Sequence, residues 1–240
     1  MTDLLVKNCL LSKNKDPQDI LIKEGVIKDI ASKITADNIP NIDADFHFVT
    51  PPFVDSHFHM DATLSYGLPR VNKSGTLLEG IKLWGELKPN LTADAIKERA
   101  LKFCKWAIAR GTLAIRSHVD VSGQNLVGVE ALLDVRETMK DFIDIQLVAF
   151  PQDGLLRANC LDNLNTALDM GVDVVGGIPH FERTMEEGHE SIRILCEIAE
   201  KRGLLTDLHC DETDDPMSRH VEKLVFETTR LGLQLSLIHI

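Results

Sequence analysis

From Pro51 onward the chain alternates short apolar runs of strand character with longer stretches of helical period, and this alternation constrains the fold most strongly. The strand-like runs fall at residues 53–57, 113–119, 143–150, 172–178 and 204–209. Thr92 opens a segment in which Ile96, Leu101, Phe103, Cys104, Ala107 and Ile108 share an apolar face, and Gly111 stops it. Further helices are expected over 126–139, 161–170, 190–202 and 217–231, two of them stopped by Gly171 and Gly203. Strands joined in order by helical crossovers pair in parallel, so the pattern predicts an α/β fold, either a (β/α) barrel or an open doubly wound sheet. A full eight-unit barrel takes about 250 residues. Residues 51–240 hold about five of the eight units, one to every ~30 residues.

The preceding residues read differently. Short runs at 4–11, 20–22, 26–30 and 46–50, with a turn at Glu24-Gly25 and a stop at Pro51-Pro52, predict a small β module. The expected domains are therefore 1–50, the β module, and 51–240, the barrel domain. With 26 Lys+Arg against 37 Asp+Glu the formal charge is −11, which disfavours nucleic acid or an anionic membrane as partner. Five cysteines, odd in number and without a C-x-x-C pair, indicate reduced thiols rather than a disulfide framework. The N-terminus lacks a basic stretch leading into an apolar run, and no apolar run reaches the ~18 residues of a membrane span. The expected location is the cytoplasm.

Two segments carry chemistry. In Val54-Asp55-Ser56-His57-Phe58-His59, the histidines are two residues apart at a strand end, so both imidazoles point one way and can grip one metal ion. In Asp207-Leu208-His209-Cys210-Asp211-Glu212, His209 ends the fifth barrel strand at the same rim, and Glu212 can reach over a metal from the loop. Three neutral imidazoles and an acid leave a coordination position open for water. The competing reading is a polar surface alternation at 57–59, a satisfied core histidine at 209 and a solvated acidic loop beyond it. Other signatures are missing: the chain has no H-E-x-x-H and no G-x-S-x-G, and Asn72 replaces the second glycine of a phosphate-loop-like stretch at 67–74.

Six ordered blocks, Pro51 to Asp61, Ser74 to Gly80, Ser117 to Val121, Val148 to Gln152, Gly177 to Glu182 and His209 to Glu212, together resemble the bacterial cytosine deaminases of the amidohydrolase superfamily. The resemblance runs from the β module to about Gly232. It implies a TIM barrel with a small β-sandwich, one divalent metal ion, Fe2+ or Zn2+, and hydrolysis of cytosine to uracil and ammonia. The family's metal ligands fall on His57, His59 and His209 and its proton-shuttling glutamate on Glu212. Its base-binding positions fall on Gln152, through the side chain, and Leu77, through the main chain. The implied partner is a small-molecule nucleobase, with no nucleic acid and no membrane, and a complete chain is expected to form a homo-oligomer. A metal ion lowers the pKa of water from 15.7 to about 7, which makes hydroxide available to attack C4 of the base.

The family also expects a sixth-strand histidine and an eighth-strand aspartate, and neither has a match. Residues 233–240 break the pattern, with His239 near the expected histidine but without its neighbours. The chain therefore looks C-terminally truncated. Isocytosine or an amino-triazine are alternative substrates, and an inactive fragment is the reading of a different class. Among the remaining residues, His118 reads as a core histidine behind the ligands, and Trp84 as a residue that packs or helps cover the pocket. Asp55 and Asp61 flank the histidine pair and could orient it, and His180 and Glu182 belong to a turn after the fourth strand.

Overall fold

A computed structural model of the chain describes residues 3–11, 16–233 and 235–238. The chain divides into two compact units, Met1–Pro52 and Phe53–Ile240. In the first, β1 (Leu4–Cys9), β2 (Gln18–Lys23), β3 (Val26–Ala31) and β4 (Asn41–Asp43) form one sheet of order β3-β2-β1-β4. β1 pairs antiparallel with β2 and parallel with β4. The strand expected over 46–50 is not one: only Phe48 bridges to Leu10, and Asp45 and Phe46 have left-handed φ values of 46° and 59° that interrupt an extended run. Asn41–Asp43 pairs with β1 in its place.

The second unit alternates as the sequence predicts. Its strands are β5 (Phe53–Phe58), β6 (Thr112–Asp120), β7 (Asp144–Phe150), β8 (Val174–Gly177), β9 (Leu205–His209) and β10 (Leu235–Ile238). They lie in the order β10-β9-β8-β7-β6-β5, every neighbouring pair parallel. The apolar run at 235–238, where the expected pattern breaks, thus adds a sixth parallel strand, with Leu235 opposite Thr206 and Ile238 opposite His209. His239 lies outside the described residues.

The helices are α1 (Leu77–Leu87), α2 (Ala93–Ala109), α3 (Val127–Met139), α4 (Cys160–Asp169), α5 (Met185–Arg202) and α6 (His220–Leu231). α5 starts five residues before the expected Glu190, because Thr184 caps it by accepting from the Glu187 N–H at 3.1 Å. Its Ile192, Leu195, Cys196 and Ala199 repeat at helical spacing and are buried against the sheet side, and Gly203 ends it at φ 66°. α6 begins three residues later than the sequence suggests, at His220. α1 was hidden within a stretch of no assigned structure; Thr76 caps it through the Glu79 N–H. Helix faces and the sheet's outward residues Ile115, Val119, Leu147, Ala149 and Leu208 join in one core. Gly177 lets α5 come close, since a Cβ there would lie 2.5 Å from the Leu195 side chain. All five cysteines are buried. Among the described residues no helix is long and apolar enough to cross a membrane.

Candidate metal centre

Alternation along β6 sends Ile115 and Val119 toward the helices and Arg116, His118 and Asp120 to the opposite face. On that face Arg116 reaches Asp207 of β9 at 2.6 Å and Gln146 of β7 at 2.7 Å. His118 Nε2 lies 3.3 Å from the other Asp207 oxygen. His57 of β5 and His209 of β9 meet at 3.0 Å between their Nε2 atoms. Four strand spacings of ~4.8 Å would hold those two strands about 19 Å apart in a flat sheet. The contact therefore requires a strongly curled sheet, concave on the face that carries the histidines.

His57 Nε2 also lies 3.3 Å from His59 Nε2, so three imidazoles converge on one point at the C-terminal ends of two strands. Four-coordinate binding with metal–nitrogen bonds of about 2.0–2.1 Å places two ligand nitrogens about 3.3 Å apart, so these separations suit a single ion. The protonation states suit it as well. Burial lowers the pKa of all three histidines, to about 3 at His59 and about 2 at His209, with the neighbouring imidazoles adding to the effect. Neutral imidazoles keep the lone pairs that a cation needs. Nδ1 of His209 is buried without a hydrogen-bond partner.

His118 is drawn into the same cluster. It is fully buried, its ring centroid lies 5.1, 5.2 and 4.8 Å from those of His57, His59 and His209, and its Nδ1 has no partner. One ligand atom each from His57, His59 and His118 lie within 4.8 Å of one another. The sequence placed His118 behind the ligands; its position among them depends on the curl, although its alternation with Arg116 and Asp120 already marked a polar strand face.

The histidines floor a cavity of about 270 Å³ whose walls include His57, His59, His209, Glu212, Gln152 and Leu77, the six residues singled out from the sequence. Phe150 closes one side, its ring 4.6 Å from that of His209, and Trp84 of α1 another. Leu77 lies in the first turn of α1, where backbone N–H groups have no intrahelical acceptor. Burial raises the carboxyl pKa of Glu212. Asp211, at φ 58°, turns away from the cavity and accepts from Ser218 Oγ at 2.6 Å and from the His220 and Val221 N–H groups. Asp61 does not orient an imidazole as its place in the sequence suggested. It is buried, its carboxylate takes the N–H groups of Ala62 and Asp120 at 2.9 Å each, and burial pushes its pKa up to about 7. Asp55 accepts the His57 N–H at 3.2 Å, a backbone contact rather than one to the ring.

A curled parallel sheet with imidazoles gathered at its C-terminal rim, beneath a cavity bearing a carboxyl and a carboxamide, is the arrangement in which a barrel-type fold can hold a metal ion. The chain belongs to the amidohydrolase family, whose model matches residues 41–240. It is similar to N-isopropylammelide isopropyl amidohydrolase of Pseudomonas sp. (strain ADP), with 32% identity over 96% of this chain and 58% of that protein. It is also similar to pterin deaminase of Rhizobium rhizogenes, with 30% identity over 82% of this chain and 45% of that one. Among solved structures, 5-methylcytosine deaminase from Klebsiella pneumoniae liganded with phosphonocytosine matches with a TM-score of 0.92 and 39% identity, over 97% of this chain and 58% of that one. The chain thus spans about half the length of these proteins.

Proposed function

We propose that the chain supplies the metal-holding and base-recognising part of an aminohydrolase that cleaves the exocyclic C–N bond of an amino-substituted nitrogen heterocycle, with cytosine as substrate and uracil and ammonia as products. The observation that carries this reading is the convergence of His57, His59, His209, Glu212, Gln152 and Leu77 on one cavity with the three Nε2 atoms together at its floor. A divalent ion held there supplies the Lewis acidity that makes water nucleophilic at neutral pH.

The remaining steps belong to the chain's own groups. Gln152 offers both a donor and an acceptor, which suits the amide-like edge of a neutral base better than a charged side chain does. Leu77 presents main-chain groups from the first turn of α1. Glu212, whose carboxyl pKa is raised by burial, holds a proton closer to neutral pH and can deliver it to the ring nitrogen; the carboxylate left behind can then take the proton still on the added water oxygen and pass it to the leaving amine. Phe150 and Trp84 enclose the base and keep bulk water from the reacting carbon.

Metal analysis of the purified chain together with ammonia release from cytosine, isocytosine and ammelide tests the proposal. The expected result is one Fe2+ or Zn2+ per chain and selectivity for cytosine. Turnover of another base with cytosine inert overturns the substrate, and a chain that retains no metal and binds no base overturns the whole reading. The names of the similar proteins support a second substrate class, the amino-triazines and pterins, within the same chemistry. The division into a β module over 1–50 and a barrel domain over 51–240, and a homo-oligomer for the complete protein, belong to the same proposal; sedimentation tests the latter.

A further inference from the structure

Lys88 does not line the candidate cavity, yet its ammonium lies where segments that do line it are tied together. The residue directly follows α1 and opens the short 3-10 turn Lys88–Asn90. Its Nζ donates to Asp120 Oδ2, at the end of β6, at 3.2 Å and to Asp153 Oδ2, in the residue after Gln152, at 2.5 Å. Asp120 Oδ2 also accepts the Trp84 Nε1–H at 2.7 Å, and its Oδ1 accepts the Ser122 N–H at 2.7 Å. Ser122 Oγ in turn accepts the Asp153 N–H at 2.9 Å. One amine thus closes a polar ring through α1, the end of β6 and the segment that carries Gln152.

Such a tie matters for α1, which brings Leu77 and Trp84 to the cavity although Leu83 is its only buried residue. Little apolar burial holds this helix in place. The tie is also sheltered: the side chains of Lys88 and Asp120 are 17% and 6% exposed, and a partly buried pair is screened less than one on the surface. Burial by itself would lower the Lys88 pKa, but the charges and hydrogen bonds of Asp120 and Asp153 outweigh it and leave it raised. Lys88 therefore stays an ammonium. Its removal would leave the Asp120 carboxylate without its cation and Asp153 without its link to α1. We propose that Lys88 is a positioning residue for base recognition, which by bridging Asp120 and Asp153 fixes Leu77 and Trp84 of α1 relative to Gln152. The inference rests on the aminohydrolase reading above, which makes those three residues the groups that meet the base.

Calorimetric titration of cytosine, isocytosine and ammelide into the purified chain and into Lys88→Met, Asp153→Ala and Arg136→Met tests it, with metal content and unfolding midpoint measured alongside. Affinity for the tightest of the three bases is the readout. Lys88→Met is expected to weaken it at least about tenfold, below the ~100-fold that a displacement of about 1 Å can cost, with metal content unchanged. Asp153→Ala alters a half-exposed partner, which guards against misfolding of the Lys88 variant, and weakens binding by less. Arg136→Met breaks the pair with Asp173 ahead of β8, at the opposite end of the sheet, and is expected to lower the unfolding midpoint and leave the affinity unchanged. Unchanged affinity in both Lys88→Met and Asp153→Ala overturns the inference and leaves the aminohydrolase reading standing. So does a loss in Arg136→Met equal to that in Lys88→Met, since the effect would then be one of general stability. A wild-type chain that binds none of the three bases overturns both.

Discussion

The two faces of the six-stranded parallel sheet bury opposite kinds of side chain. Toward the helices lie Ile115, Val119, Leu147, Ala149 and Leu208, almost completely buried and packed against α2 to α5. On the concave face lie Arg116, His118, Asp207 and His209, with Asp207 at 0% exposure. Apolar burial stabilises by about 25 cal/mol per Å², whereas a buried charge destabilises unless it is paired and hydrogen-bonded. One face therefore holds the fold together and the other is held by it. That separation lets the fold carry His57, His59 and His209 in a dry interior, where burial lowers their pKa values and keeps their lone pairs available to a cation.

The largest effect that sharpens this contrast is on metal. His209→Ala removes a converging nitrogen and is expected to lower metal affinity more than about 100-fold, beyond the 10–100-fold usual for an outer partner, with little change in thermal unfolding of the metal-free chain. Metal content after dialysis against a chelator reads it, and retained stoichiometric metal would remove His209 from the ligand set. Next comes Asp207→Asn, which leaves Arg116 and His118 without their shared carboxylate and is expected to cost about 3–5 kcal/mol in urea unfolding at pH 7.

The same residue has a pH signature. Burial alone would raise the Asp207 pKa, but the hydrogen bond and charge of His118, and those of Arg116, outweigh it and leave it lowered. Since the folded pKa is below the unfolded value of about 3.9, the pair's contribution is complete above about pH 4 and disappears as pH falls through the folded pKa. Urea midpoints measured from pH 6 down to pH 2 should fall for the wild-type chain and lose that component in the Asn variant. Parallel curves would show that the pair is not linked to folding.

On the apolar face, Leu195→Ala leaves a cavity beneath α5 and is expected to destabilise by about 2–5 kcal/mol, at the lower end where the close contact with β8 can collapse, without altering metal content. Loss of metal in that variant would mean that the two faces are not separable. The smallest effect is at Thr184→Ala, about 1 kcal/mol from the lost cap of α5, read as a small shift in unfolding midpoint.

The sequence made the alternation of strands and helices legible because hydrophobic period and capping residues act over a few positions. It made the histidine pair at 57 and 59 legible for the same reason: two residues along a strand always share a face. The structure departs from the sequence pattern where a short local signal competes with a clearer apolar period. The Thr184-Met185-Glu186-Glu187 cap started α5 ahead of its clearest apolar period, and Thr76 with Glu79 marked α1 within an otherwise unassigned segment. Asp61 looks like a ligand-orienting carboxylate in sequence, yet the bend after β5 turns it toward the Asp120 backbone.

Residue order alone therefore determined the α/β class, the strand ends that carry polar groups and the residue types able to hold a cation, since each depends on periodicity and chemistry along the chain. Only the tertiary structure decided that His57 and His209, 152 positions apart, come within 3.0 Å, and that His118 stands among them. The physical reason is curvature. The curl of the sheet comes from the twist of every strand and the packing of every helix at once, and no short stretch of sequence encodes where its concave face brings distant side chains together.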